Sequence, residues 1–226
     1  MSGDLETAFQ IPTAGVILDG DFRAPAHAAG VVVFAHGSGS SRHSPRNRMV
    51  AQRLHEAGYA TLLMDLLTAE EDEIDSRTRK FRFDIPRLAS RLTGAILWLS
   101  DRPDTGPMPV ALFGASTGAA AALLAAAEIP DHIQLVISRG GRPDLAGDAL
   151  GGVQAPTLLI VGGRDLEVLD LNKAAAAQLT GPVEIAVVPG ATHLFEEPGA
   201  LDRVVELAVA ALRRHLAASS SQQSGT

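Results

Sequence analysis

The chain has 226 residues, a hydrophobic fraction of 46%, no cysteine and a formal net charge of −7. Without cysteine there is no disulfide, no thiolate nucleophile and no cysteine-ligated zinc. The negative charge argues against a nucleic-acid partner, which usually meets a basic face.

Strand and helix patterns alternate along the sequence. Ala8–Ile11 and Gly15–Leu18 suit an antiparallel hairpin at a sheet edge. Residues 30–35, Gly-Val-Val-Val-Phe-Ala, are a continuous apolar run, as expected of a strand covered on both faces. Residues 46–57 carry Met49, Val50, Arg53, Leu54 and Ala57 on one helical stripe, and Gly58 ends it. Strands are expected at 59–66, 108–113, 132–138, 156–162 and 183–188, with helices at 80–100, 119–128, 168–180 and 201–217. Residues 66–84 read as a polar loop able to shape a pocket. The acidic run Glu70–Glu73 with Asp75, and the basic run Arg42–Arg48, read as solvated faces. Residues 1–217 make one domain, and the Ser/Gln-rich segment 218–226 reads as a tail.

Such alternation builds a mostly parallel sheet with helices on both faces, a three-layer α/β domain without a cap insertion. Chemistry then gathers at the carboxyl ends of the strands. Gly114-Ala-Ser116-Thr-Gly118 has the form G-x-S-x-G and falls between a strand and an Ala/Leu helix. That setting suits a nucleophile elbow, in which the turn is so tight that flanking Cβ atoms would collide. In an ordinary Gly-rich turn, Ser116 would instead cap the helix.

Two further strand ends carry Asp165 and His193, completing the chain order Ser…Asp…His. A serine hydroxyl needs a base to become nucleophilic, an imidazole supplies one near neutral pH, and a carboxylate fixes its tautomer. His36-Gly-Ser38-Gly-Ser40 follows the 30–35 strand. Backbone N–H groups of Ser38 and Thr117 are the expected oxyanion donors, with His36 bracing that loop. Arg42, Arg139 and Arg142, and beside them Arg46 and Arg48, are candidates to bind an anionic group on a substrate. Ordinary surface ion pairing is the competing reading for each. The seven histidines show no metal-ligand spacing, so no metal is expected.

With these motifs, the sequence over residues 5–217 resembles an α/β-hydrolase. Its short length and lack of a cap resemble the dienelactone hydrolase family, with Ser116 where dienelactone hydrolases proper carry cysteine. The resemblance implies a cofactor-independent serine hydrolase acting on a small-molecule carboxylic ester or lactone through an acyl-enzyme. Peptide or thioester chemistry, or a non-catalytic binding module, are the alternatives. The N-terminus shows no signal-peptide pattern and no apolar run is long enough for a bilayer. A cytoplasmic monomer or homodimer without membrane contact is the resulting expectation.

Overall fold

The computed structural model describes residues 4–216; the segment 218–226, read from sequence as a tail, lies outside the described residues. Two long strands, β1 (Leu5–Thr13) and β2 (Val16–Ala24), open the chain as an antiparallel hairpin. They extend well beyond the two short segments expected there. Their turn places Ala14 at φ 46° and Gly15 at φ 77°, the left-handed pair whose twist matches a two-residue hairpin.

There follow β3 (Val31–Ala35), α1 (Pro45–Glu56), β4 (Ala60–Met64), α2 (Ala69–Thr78) and α3 (Ile85–Ser100). Then come β5 (Val110–Ala115), α4 (Thr117–Glu128), β6 (Ile133–Arg139) and β7 (Thr157–Gly162). The chain closes with α5 (Leu166–Ala176), β8 (Val183–Val188) and α6 (Ala200–Leu216). The sheet order is β1-β2-β4-β3-β5-β6-β7-β8, antiparallel at β1-β2-β4 and parallel from β4 onward.

Alternate residues of the fully buried strand β3 enter opposite cores. Val31, Val33 and Ala35 join α3 and α4 on one face, while Val32 and Phe34 join α1 and α6 on the other. A continuous apolar run is thus what a two-sided strand requires. This is the three-layer α/β-hydrolase arrangement expected from the sequence, with no cap domain evident among the described residues.

Residues 66–84 depart from the expected loop, because α2 occupies most of them. It carries no apolar stripe, and Asp75 is its one buried residue. Its start is a capping box: Glu71 N–H donates to the Thr68 hydroxyl, and Thr68 N–H donates to the Glu71 carboxylate. Nor is the acidic run simply solvated. Glu71 accepts both arms of Arg91, a residue only 3% exposed, and a third bond from Arg87. Buried Asp75 accepts the backbone N–H groups of Phe81 and Arg82 and the Arg82 Nε–H. Residues 143–152, unassigned from sequence, form 3-10 turns packed on α4.

Candidate active site

Sheet topology brings the ends of β3, β5, β6, β7 and β8 to one edge. Ser116 stands between β5 and α4 with φ 51° and ψ −122°, a strained conformation for a residue with a side chain. Its side chain makes no capping bond to the helix, so the ordinary N-cap reading fails. The flanking glycines are sterically required. A Cβ on Gly114 would lie 2.7 Å from the Ala119 nitrogen, and one on Gly118 would lie 2.6 Å from the His36 carbonyl oxygen. The turn is clasped from the side by the chain after β6. Ser116 N–H donates to the Arg139 carbonyl, and the Ser116 carbonyl accepts the Arg142 N–H.

Asp165 and His193 meet, although 28 positions separate them. Nδ1 of His193 lies 2.7 Å from Asp165 Oδ2, which directs the other ring nitrogen away from the carboxylate. Ser116 and His193 line one cleft of about 230 Å³, together with Gly37, Ser38, Asn47 and Arg139. No hydrogen bond joins Ser116 to His193 in this arrangement, although catalytic contacts often tighten only with substrate in place.

Of the two expected oxyanion donors, Thr117 N–H lies at the first position of α4, where helical N–H groups have no intrahelical acceptor. The Ser38 N–H corrects expectation: it donates to the Thr117 hydroxyl at 2.8 Å and is therefore already engaged. That bond ties the glycine-rich loop to the start of α4. His36 braces the same loop as expected. Its Nδ1 lies 2.9 Å from the Gly37 carbonyl and its Nε2 accepts the Leu66 N–H. These partners specify the neutral tautomer, and burial pushes its pKa below the ordinary imidazole value.

The candidate substrate-binding arginines separate sharply. Arg42 is held by Asp65, with Asp19 and Asp21 nearby. Arg142 forms a two-pronged pair with Asp144, and Arg48 faces Asp21. Arg46, at the cleft, pairs with Glu196 at 2.9 Å. Arg139 alone of the five has no acidic partner among the described residues. Burial, with the nearby positive charge of Arg46, lowers its pKa to about 10, so it stays charged at neutral pH. No cluster of metal-ligating side chains occurs among the described residues.

The sequence over residues 18–218 matches the model of the dienelactone hydrolase family. The chain belongs to that family. A crystallised dienelactone hydrolase from Anabaena variabilis is 56% identical, with a TM-score of 0.92 over 94% of this chain and 98% of that one. Est1E from Butyrivibrio proteoclasticus, solved with ferulic acid bound, shares the fold at 17% identity and a TM-score of 0.78, covering 93% of this chain and 100% of its own. Proteins described as putative phosphoribosyl transferases from two strains of Mycobacterium tuberculosis are 58% identical over 199 residues. That match takes in 88% of this chain but only 44% of theirs, so the chain spans less than half their length. No helix among the described residues is long and apolar enough to cross a membrane.

Proposed function

We propose that this dienelactone hydrolase family member is a serine hydrolase that cleaves a carboxylic ester or lactone through an acyl-enzyme. The observation that carries the reading is Ser116, strained at the elbow, in one cleft with a His193 whose Nδ1 is engaged by Asp165. In this reading His193 Nε2 takes the Ser116 proton as Oγ attacks the substrate carbonyl. The carbonyl π electrons move onto oxygen, where the Thr117 N–H at the start of α4 receives the negative charge. Collapse of the intermediate breaks the ester C–O bond, and the alkoxide leaves with the proton from His193. Water, deprotonated by the same imidazole, then releases the acid and restores Ser116. Asp165 keeps the imidazole in the tautomer that can accept from serine and stabilises the imidazolium.

The phosphoribosyl transferase activity named for the mycobacterial relatives we assign to the part of those proteins that this chain does not match. Support comes from the family match, which takes in nearly the whole chain, and from the hydrolase-type elbow. Peptide and thioester substrates use the same chemistry; the compact, capless cleft favours a small ester or lactone.

The test is labelling with a fluorophosphonate probe alongside turnover of a short-chain p-nitrophenyl ester. Labelling of the native chain, lost together with turnover in Ser116→Ala, is the expected result. An unlabelled native chain, or a Ser116→Ala variant that still reacts, would overturn the assignment.

A further inference from the structure

Arg139 is the last residue of β6, the strand beside the one that leads into Ser116. It is 8% exposed and lines the cleft shared by Ser116 and His193. Among the described residues its guanidinium has a single side-chain bond, from Nη2 to Asn47 Oδ1 at a long 3.3 Å. Both Nε and Nη1 are buried without a partner among the described residues. A charge taken out of water without a counter-ion is costly, and protein interiors pair such charges almost without exception. Every other arginine near the cleft obeys that rule, including Arg46 with its Glu196. Asn47, which touches Arg139, is itself buried at the start of α1, and its backbone N–H is capped by Ser44. The guanidinium is therefore set in place with donors to spare at the wall of the reaction cleft.

We propose that Arg139 anchors a negatively charged group of the substrate, a carboxylate or a phosphate monoester carried close to the scissile carbonyl. This deepens the hydrolase reading and rests on it. An anion there supplies the missing counter-charge, and a planar guanidinium donates its N–H groups in pairs to carboxylate or phosphate oxygens. The cleft of about 230 Å³ has room for a compact anion beside a carbonyl rather than for a long acyl chain. Because the chain carries a net charge of −7, such anions are not drawn to it in general; this one cation without a counter-ion among the described residues supplies the selectivity.

Two measurements test the proposal. In the first, succinate and inorganic phosphate are titrated separately against the native chain and Arg139→Gln, with the thermal midpoint as readout. The native chain is expected to be stabilised by at least one of them and the variant by neither, with Arg139→Lys between; the more effective anion identifies the source. In the second, kcat/KM is compared within matched pairs. p-Nitrophenyl butyrate is set against its succinyl counterpart, and ethyl butyrate against 2-phosphoethyl butyrate, so that the charge sits on the acid or the alcohol side. The native chain should favour at least one charged member by roughly ten- to a hundredfold, the worth of a charge-assisted hydrogen bond, and Arg139→Gln should bring that ratio near one. Equal treatment of charged and neutral substrates by the native chain, or anion stabilisation that survives in Arg139→Gln, overturns the proposal. Failure of the hydrolase reading shows separately, as absent fluorophosphonate labelling. The anion titration still reads Arg139 in that case, and it also reports whether each variant folds.

Discussion

Gly118 packs against His36 so closely that a Cβ would lie 2.6 Å from the His36 carbonyl oxygen. The first turn of α4 can therefore press on the end of β3 only where its second residue is glycine. Backbone on both sides of that contact cannot move aside as a flexible side chain would. Gly118→Ala is expected to cost about 1–3 kcal/mol in denaturant melts, as overpacking does. It should also slow fluorophosphonate labelling, because the displaced turn carries Ser116. A variant as stable and as reactive as the native chain would mean the turn relaxes freely.

The Thr117 hydroxyl accepts the Ser38 N–H and holds the glycine-rich loop over the elbow. Thr117→Ala removes that acceptor while leaving the backbone donor. A loss in kcat of roughly tenfold, with most of it restored in Thr117→Ser, is the expected outcome of steady-state ester kinetics. Equal losses in the two variants would assign the effect to packing instead.

Asp165→Asn keeps the shape but turns a carboxylate into an amide, which no longer specifies the Nδ1–H tautomer or stabilises imidazolium. Turnover should fall on the order of 10³-fold or more, with fluorophosphonate labelling slowed in parallel. Turnover within a few fold of native would remove Asp165 from the proposed triad.

Glu71 ties α2 to α3. Burial disfavours its charged form, yet the bonds from Arg91 and Thr68 and the charges of Arg91 and Arg87 hold its pKa down to about 2. Its folded pKa is thus below its ordinary value of 4.5. The stability it contributes is complete above that value and is lost as pH falls toward about 2. Glu71→Gln leaves the buried Arg91 charge unmatched, at a cost of about 3 kcal/mol at neutral pH. The variant should also lose part of the acid-side fall in stability that the native chain shows between pH 4.5 and 2, read from urea midpoints across that range.

Much of the architecture was legible because its signals are local. The run at 30–35 reads as a two-sided strand, and β3 is one. The elbow motif reads from glycine spacing, and the collisions a Cβ would meet explain why. Helix α2 was missed because it buries no apolar stripe and is held by ion pairs to residues of α3, which periodicity cannot register. Its one local signal was Thr68 followed three residues later by Glu71, the capping-box pattern. The long hairpin strands β1 and β2 were underestimated because polar residues alternate on their open face.

By itself, the sequence determined the alternation of strands and helices, the Ser116 turn and the chain order of Ser116, Asp165 and His193. These follow from propensity, spacing and the rule that parallel sheets gather loops at one edge. Which of five arginines is left without a counter-ion was decided only by tertiary structure. Arg42 meets Asp65 from 23 positions away and Arg46 meets Glu196 from 150 positions away, while Arg139 is buried with no acidic partner among the described residues. Charge pairing depends on distances of a few ångströms between side chains remote in sequence, and those distances exist only once the sheet has formed.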